Sequence, residues 1–364
     1  MTRSISILHV AQPVIGGVAR VVVNAASDQA RRGWRVTVAS PDGGELAPSL
    51  PADVRHVRWR ADRAPGRALP REVSTLRRVV RTVEPDVVHL HSSKAMFAGR
   101  LAVRGAIPTI VQPHAWSFWA LGGRAAHAAT LWERFAARWC HAIVCVSEGE
   151  LTAGVEAGVR GPFTVVPNGV DVDAYTADGS ATRERLALGS RPVAAFVGRL
   201  ERQKGADVLL RAWPRILADV GDAHLLVVGD GADRTRLAGL GVPDVTFAGA
   251  QPNVREWLAA ADVAVFPSRW EAGSLAVLEA MAVGRSVVVT DVAGTREAVR
   301  PGTGSIVPRE DADALAAAVT RRLTDRDLAR SEGAAARSLV LEHYTLAQQL
   351  DRLASLTQDV VSSR

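Results

Sequence analysis

The chain has 364 residues, enough for two domains that each bury a hydrophobic core. Hydrophobic residues make up 48% of it and charged residues 23%, as in ordinary soluble globular proteins. No apolar run approaches the roughly 18 residues that a membrane span requires. The net charge of +6 favours acidic partners, but nucleic acid is not expected among them, because no recognised nucleic-acid-binding module accompanies the charge.

Short apolar runs alternate with helical patterns along the whole chain. The first half contains the runs SISILHVA, RVTVAS, DVVHLHS, TIVQPH, AIVCVS and FTVVP, and the second half contains PVAAFVG, HLLVVGD, VTFAGA, DVAVFPS and SVVVTDV. This alternation predicts an α/β protein with two doubly wound, Rossmann-like domains built on parallel sheets. A polar stretch after VVPNGVD places the domain boundary at 170/171, with the second domain ending near 345. Ligands of such sheets bind at the carboxyl ends of the strands, so we expect the site in a cleft between the domains.

The N-terminal residues MTRSISILHV predict a first strand and not a signal peptide. Gly16 and Gly17 follow this strand, and a turn without side chains lets a phosphate or an acceptor approach closely. A lone glycine pair more often forms an ordinary loop. The two cysteines, Cys140 and Cys145, are predicted to be buried free thiols, which indicates the cytosol.

Arginine is concentrated between positions 55 and 81, where Trp59 also lies. The arginines are Arg55, Arg58, Arg60, Arg63, Arg67, Arg71, Arg77, Arg78 and Arg81. The run fits an arginine-rich overall composition, and it also fits an anionic lipid surface or a phosphorylated acceptor as a partner.

Histidines occur at two places in the first half. His89 and His91 lie in DVVHLHSS, and we expect their side chains to point to opposite faces of the strand. The sequence shows no metal-ligand set, so we expect a metal-independent protein. His114 lies in QPHAWSF, next to Trp116 and Phe118, and an isolated histidine of this kind is more often a hydrogen-bonded structural residue.

The segment VGRLERQKG, residues 197–205, predicts a phosphate site. A buried strand ends at Gly198, and Arg199 and Lys204 precede a helical pattern. Arg199 offers a planar fork of donors and Lys204 a compact charge, which together suit a diphosphate. Taken alone, two cations near a strand end are more often part of a solvated loop.

The segment FPSRWEAGSLAVLEAMAVG, residues 266–284, predicts a second half of the same site. A strand ends near Pro267, a loop of small residues follows, and Glu271 and Glu279 lie on either side of Gly273, Ser274 and Leu275. Backbone N–H groups at the start of a helix favour an anion or a cluster of sugar hydroxyls. Two carboxylates at different depths suit the hydroxyls of one elongated ligand.

Together these segments resemble family 4 of the retaining glycosyltransferases, whose fold is called GT-B. The resemblance covers nearly the whole chain and rests on ILHVAQPVIGGVAR, QPHAWSF, GRLERQKG and EAGSLAVLE, with further echoes in DVVHLHSS, VCVSEGE, VVPNGVD and VVGDGADR. The family usually has Phe-Gly where this chain has Gly273-Ser274. This departure concerns the choice of donor and not the reaction class.

The resemblance implies a role for each matching residue. Arg199 and Lys204 would bind the diphosphate, while Glu271 and the backbone of Gly273, Ser274 and Leu275 would bind the sugar. Glu279 would take the ribose, and His114 would contact the donor sugar near the reacting centre. Gly16, Gly17 and Gly198 would let the backbone approach the ligand. The C-terminal helix, residues 346–364, would pack back on the first domain.

The implied activity is transfer of a hexose from a UDP- or GDP-sugar to an acceptor hydroxyl with retention of configuration, without a cofactor or metal. The aromatic, basic segment HAWSFWALGGRAAHAATLWERFAARW favours a lipid-linked glycan as acceptor and an anionic membrane surface as partner. We then expect a cytoplasmic protein, peripheral at the inner face of the membrane. The alternatives are a soluble natural-product acceptor and a non-catalytic protein that binds sugar nucleotides.

Overall fold

A computed structural model of the chain describes residues 4–63, 66–176 and 178–363. The fold divides into two compact units. One contains the chain up to Pro167 together with the residues from Gln349 onward, and the other contains Asn168–Gln348. The first three residues of the predicted first strand and the last residue of the predicted C-terminal helix lie outside the described ranges.

Among the described residues of the first unit, seven parallel strands form the sheet, in the order β3-β2-β1-β4-β5-β6-β7. Strand order therefore reverses between β1 and β4, which pair with each other. The strands are β1 (Ser6–Ala11), β2 (Arg35–Ser40), β3 (Arg55–Arg58), β4 (Val87–His91), β5 (Thr109–Gln112), β6 (Ala142–Cys145) and β7 (Phe163–Val165). Every residue of β1 and β4 is buried, because helices cover both faces of a doubly wound sheet.

In the described part of the first unit, six α-helices lie between these strands. They are α1 (Gly16–Arg31), α2 (Leu69–Val83), α3 (Ser92–Val103), α4 (Ser117–Ala120), α5 (Gly123–Ala136) and α6 (Glu148–Glu156). Helix α3 contacts α2 through a hydrogen bond of 3.2 Å from Arg77 to the Leu101 carbonyl oxygen. It contacts α5 through an ion pair of 2.7 Å between Arg100 and Glu133, both buried. The helices α2, α3 and α5 therefore lie side by side on one face of the sheet.

The sheet of the second unit has six parallel strands in the residues that the structure describes, in the order β10-β9-β8-β11-β12-β13. The strands are β8 (Val193–Val197), β9 (His224–Val228), β10 (Val245–Gly249), β11 (Val263–Phe266), β12 (Ser286–Thr290) and β13 (Gly304–Val307). Here strand order reverses between β8 and β11. The α/β class and the two parallel sheets predicted from the sequence are confirmed.

Within residues 178–363, nine α-helices follow. They are α7 (Ser180–Arg185), α8 (Ala206–Val220), α9 (Arg234–Ala238), α10 (Val254–Ala260), α11 (Leu275–Ala282), α12 (Thr295–Ala298), α13 (Ala312–Thr324), α14 (Arg326–His343) and α15 (Leu346–Ser362). From Gln349 onward α15 belongs to the first unit, where Asp351 forms an ion pair with Arg32. No helix within the described ranges is both long and apolar enough to cross a bilayer.

Two strands, β3 and β13, were not among those predicted from the sequence. Each has four residues and lies at the edge of its sheet, so it has one neighbouring strand. The first residue of β3, Arg55, and its last, Arg58, are exposed, and β13 begins at Gly304. Edge strands need little apolar surface, and this removes the hydrophobic signal that marks the central strands.

Candidate functional site

The phosphate-type segments of the second half meet where the strand order of their sheet reverses. Gly198 and Arg199 directly follow β8, and residues 267–274 lead from β11 into α11. Because β8 and β11 are neighbouring parallel strands, both segments leave the same edge of the sheet. Such a switch point is where open α/β sheets bind their ligands.

Gly205 allows the two segments to come into contact. It has φ +67°, and a Cβ atom placed on it would lie 1.9 Å from the carbonyl oxygen of Pro267. No other residue type fits there without moving the backbone. Two hydrogen bonds join the segments further: the Arg269 N–H donates to the Gln203 carbonyl oxygen at 2.8 Å, and Gln203 Nε2 donates to the Trp270 carbonyl oxygen at 3.0 Å.

This contact places Lys204 beside Glu271. Lys204 Nζ and Glu271 Oε1 form an ion pair, and the Ser268 hydroxyl donates to the same carboxylate oxygen at 3.1 Å. Both side chains are largely but not fully buried, with 18% and 10% of the side-chain surface exposed. A cation and a carboxylate are thus brought together from segments 67 positions apart.

The remaining predicted residues of the second unit surround this pair. Arg199 donates to Glu201 at 3.0 Å and to Gln203 Oε1 at 3.3 Å, and about a third of its side chain is exposed. Ser274 precedes α11 without capping it through its side chain, so Leu275 begins a helix whose end is open to an anion. Glu279 is buried one turn into α11.

Asn168 also takes part in this region, although the sequence analysis gave it no role. Its Nδ2 donates to the Gly273 carbonyl oxygen at 2.8 Å and so fixes the turn that precedes α11. The signal was present in the VVPNGVD echo, since an asparagine between proline and glycine is typical of an ordered turn.

In the first unit, Gly16 and Gly17 form the start of α1, directly after the loop that follows β1. Gly16 has φ +74°, and a Cβ atom there would meet nothing within 4 Å. The backbone conformation, and not a lack of space, therefore favours glycine at this position.

The sequence-based expectation that His89 and His91 point to opposite faces is wrong. Positions i and i+2 of a strand share a face, and the two rings stack with their centroids 3.9 Å apart. His9 joins them from β1, where its Cα atom is in register with that of His89. All three rings are buried at the switch point of the first sheet.

These three histidines also lie close enough together to be considered as metal ligands, which was not predicted from the sequence. Within the described ranges, one nitrogen of each lies within 4.8 Å of the others. The rings stack instead of converging, and His9 Nδ1 lies 2.9 Å from His91 Nε2. Two nitrogens bound to one zinc ion lie about 3.3 Å apart, given bonds of about 2.05 Å. The geometry favours a hydrogen bond between the rings, and metal independence stays a prediction.

His114 follows β5 and is half-buried above this group, with its Nε2 atom 3.2 Å from His91 Nδ1. Loss of surrounding water lowers the pKa of His114 to about 3. It also lowers the pKa of His9 to about 4, although the hydrogen bond to Gln29 acts in the opposite direction. Burial also lowers the pKa of His89 and of His91. The four rings are therefore neutral at pH 7.

The backbone at His114 is strained, and Glu150 stabilises it. His114 and Ala115 have φ +54° and +104°, values that cost free energy for any residue other than glycine. The Ala115 N–H donates to Glu150 Oε1 at 2.7 Å, and the Val146 N–H donates to Oε2 at 2.8 Å. Burial raises the pKa of Glu150 to about 7 in spite of these two donors.

The predicted residues thus form two groups, one in each unit. Arg199, Lys204, Glu271 and the start of α11 lie together in the second unit. His114 and the glycine pair lie in the first. The sequence analysis missed Gln29, His9, His91 and Glu150 as neighbours of His114. The signal for His91 was the H-x-H spacing in DVVHLHSS and that for Glu150 was the acidic residue in VCVSEGE, whereas Gln29 and His9 had no signal in the sequence.

Comparison with known proteins gives matches along most of the chain. Residues 15–174 match the profile described as Glycosyltransferase Family 4, and residues 191–325 match Glycosyl transferases group 1. A GDP-mannose-dependent alpha-mannosyltransferase of Mycolicibacterium smegmatis is 32% identical over 356 residues, which cover 90% of each chain. An Escherichia coli enzyme named UDP-Gal:alpha-D-GlcNAc-diphosphoundecaprenol alpha-1,3-galactosyltransferase is 26% identical, over 80% of this chain and 79% of its own.

Among solved structures, the sucrose-phosphate synthase of Thermosynechococcus elongatus has a TM-score of 0.85. It covers 98% of this chain and 99% of its own at 23% identity, a likeness that concerns the fold. Three findings agree: the switch points of the two sheets, the matched profiles and the near-complete alignment with a relative. The chain belongs to family 4 of the glycosyltransferases and has the GT-B fold.

Proposed function

We propose that this glycosyltransferase uses a nucleotide diphosphate sugar, a GDP- or UDP-hexose, and retains the anomeric configuration. The acceptor is a hydroxyl of a lipid-linked glycan. The names of the two relatives support both donor bases, and one of them acts on a diphosphoundecaprenol-linked sugar. The observation that carries the proposal is the Lys204–Glu271 pair beside the open start of α11.

The chemistry follows from the charges at this switch point. In the reaction the acceptor oxygen bonds to the anomeric carbon while the bond from that carbon to the diphosphate oxygen breaks. Negative charge grows on the departing diphosphate, where Lys204, Arg199 and the N–H groups at the start of α11 stabilise it. Glu271 accepts hydrogen bonds from the sugar, and Glu279 accepts them from the ribose.

In a retaining transfer the acceptor proton can pass to the leaving phosphate on the same face of the sugar, so no protein base is required. Positively charged groups that bind the diphosphate more strongly as it departs then provide the main rate acceleration. This proposal includes independence of metal ions, because two side-chain cations and a helix start offer the charge that a metal would otherwise supply.

Thermal shift with a panel of nucleotides tests the donor. A ligand that binds only the native state stabilises it by mass action. The rise in melting temperature with GDP, UDP, ADP and dTDP, and with the hexose derivative of each, should therefore differ from base to base. Arg211 is the matched control, because it lies on α8 of the same unit and half of its side chain is exposed. Arg211→Ala should keep the shift and Lys204→Ala should lose it. An equal response to all four bases, or none, contradicts the proposal.

The acceptor side is proposed from exposed residues of the first unit. On α5, Leu131 and Phe135 expose 48% and 44% of their surface, and the Arg138 guanidinium lies 3.6 Å from the Phe135 ring centroid. On α2, Arg78 and Arg81 are exposed. Since α3 contacts both helices, the apolar and basic side chains share one face of the unit, a combination that suits an anionic membrane surface.

The structure removes three residues from the predicted membrane surface. Trp59 and Trp116 are buried, and each donates its indole N–H to a backbone carbonyl oxygen, of Glu72 and Glu150 respectively. Arg77 is partly buried and donates to Leu101. A change at these positions would affect folding as well as membrane contact.

Sedimentation with anionic and neutral vesicles therefore uses Arg78→Glu with Arg81→Glu. The control pair is Arg321→Glu with Arg330→Glu, which makes the same change in charge at exposed positions of the second unit. We expect wild type and control to bind anionic vesicles at low salt and the α2 pair to be released.

Equal binding to both lipids favours a soluble acceptor. Donor binding without any turnover favours a non-catalytic protein. A cytoplasmic, peripheral location is part of the proposal.

A further inference from the structure

A chain of hydrogen bonds runs from α1 through β1 and β4 to His114. Gln29 Oε1 lies 2.7 Å from His9 Nε2, and His9 Nδ1 lies 2.9 Å from His91 Nε2. His91 Nδ1 lies 3.2 Å from His114 Nε2. Gln29, His9 and His91 are almost fully buried. These three residues reach His114 from three different elements, and none of them was predicted to be functional.

The direction of this chain is set as a whole. A neutral imidazole has one N–H donor and one acceptor nitrogen, and burial keeps the three histidines neutral. If one ring donates through Nε2, its Nδ1 must accept, and the next ring must donate to it. The state of the first histidine therefore determines the tautomer of the last.

Gln29 is the end of the chain that can fix this direction. Its side-chain oxygen faces His9 Nε2, so His9 carries its proton on Nε2 and accepts from His91 at Nδ1. His91 then donates through Nε2 and accepts at Nδ1 from His114 Nε2. The result is a His114 ring with a proton on Nε2 and a bare Nδ1.

We propose that Gln29, His9 and His91 are positioning residues that hold His114 in the Nε2–H tautomer, so that its Nδ1 accepts a hydrogen bond from a hydroxyl of the bound ligand. The identity of that hydroxyl, on the donor sugar, rests on the proposed function. The tautomer itself does not, because it follows from contacts within the protein. Glu150 complements the chain by holding the strained backbone at Ala115.

Nitrogen-15 NMR of the unliganded wild-type protein tests the direction of the hydrogen-bond chain directly. Protonated and unprotonated ring nitrogens of a neutral histidine have well-separated chemical shifts, and couplings to the ring protons identify each nitrogen. His91→Gln and His114→Gln assign the signals by removing them. We expect His9, His91 and His114 all to carry the proton on Nε2. A proton on Nδ1 of His114 overturns the proposal.

Gln29→Leu tests whether the glutamine sets the direction. Without an acceptor at His9 Nε2, the proton is more stable on Nδ1, where it can donate to His91, and the whole chain should reverse. His114 should then carry its proton on Nδ1. The control is Thr109→Val, because the Thr109 side chain is also buried in the same sheet but lies at the start of β5, away from His114, and its hydroxyl donates to the Ile107 carbonyl oxygen at 2.8 Å.

The kinetic readout follows the spectroscopic one. Gln29→Leu should lower kcat/KM about tenfold, the effect of one lost hydrogen bond to the ligand, while Thr109→Val should leave both tautomer and rate unchanged. An unchanged His114 tautomer in Gln29→Leu, or the same reversal in Thr109→Val, refutes the inference. Absence of transferase activity in the wild type counts against the proposed function alone, since the tautomer is measured without substrate.

Discussion

The two sheets reverse their strand order in the same way but carry opposite chemistry at the point of reversal. In the first unit, β1 and β4 bring together His9, His89 and His91, which are buried and uncharged. In the second unit, the segments after β8 and β11 bring together Lys204 and Glu271, which are charged and partly exposed. The topology places side chains from distant segments side by side, and the residue types decide what the place can do.

The difference has a physical consequence for each unit. Neutral histidines in a dry environment are sensitive to protonation, because the charged form loses its hydration. An ion pair at a partly exposed site is sensitive to the loss of either partner, because the other charge is left without compensation. Acid should therefore affect the first unit, and removal of a charged side chain should affect the second.

The largest effect is expected from acid. The pKa of His9 is about 4 and that of His114 about 3, and those of His89 and His91 are also lowered. Between these values and 6.5 the unfolded chain binds more protons than the native one. The free energy of unfolding should therefore fall as the pH drops from 6.5 towards 4, by about 1.4 kcal/mol per pH unit for each histidine.

Glu150 acts against this loss of stability, because its carboxylate binds one proton more readily in the native state than in the unfolded chain. Its pKa is raised to about 7, so it contributes stability as the pH falls from 7 to 4.5, and four histidines outweigh it. Urea unfolding at a series of pH values measures how the free energy of unfolding changes with pH. Hydrogen exchange shows which part of the fold is destabilised first. The first losses of protection should lie in β1 and β4. A stability that is constant or rises on acidification contradicts this prediction.

The next effect concerns the charged site. Lys204→Ala should lower kcat/KM by at least about a hundredfold, or roughly 2.7 kcal/mol, because the cation acts most strongly on the departing diphosphate. Arg199→Ala should behave similarly. Steady-state kinetics with Arg211→Ala as the control measures both, and activity within a few-fold of wild type in both variants rules out the assignment.

A smaller effect should separate the two glutamates. Glu279→Gln should weaken binding of the free nucleoside diphosphate about tenfold, through loss of a charged acceptor for the ribose hydroxyls. Glu271→Gln should not weaken it, since Lys204 is then released from its ion pair, but it should abolish most of the sugar transfer. Calorimetry measures the affinity of each variant for the nucleotide and for the nucleotide sugar. Equal losses for both ligands in both variants contradict this division of roles.

The smallest effect should come from chelation. Activity in excess EDTA should stay within about twofold of the untreated protein, because Lys204, Arg199 and the start of α11 supply positive charge at the diphosphate. Added Mg²⁺ or Mn²⁺ should not restore or raise the rate. A loss on chelation that a divalent cation reverses shows that the charged site needs a metal.

The sequence predicted the class of fold and the central strands because their apolar runs are long and their order alternates with helical patterns. It also predicted that GRLERQKG and EAGSLAVLE share one site. The ion pair between Lys204 and Glu271 could not be predicted, since it depends on how closely two loops approach. That approach is set by Gly205 against Pro267, a backbone contact 62 positions apart that no local pattern records.

The histidine chain escaped prediction for two different reasons. His89 and His91 were assigned to opposite faces by an error in strand periodicity, which the i, i+2 rule corrects. Gln29 and His9 could not be found from spacing at all. They reach His91 because α1 packs across β1, and β1 pairs with β4 in one particular register. Side-chain partners across a sheet are fixed by that register, which a single sequence does not specify.

The contact at Gly205 has a consequence for how this protein tolerates change. Because the segments after β8 and β11 touch through their backbones and share the bonds of Gln203, a shift in one displaces the other. Substitutions in the two loops are therefore coupled, and their effects should not add. Natural variation in one loop is then constrained by the other loop, although the backbones that touch, at Gly205 and Pro267, are 62 positions apart in the chain.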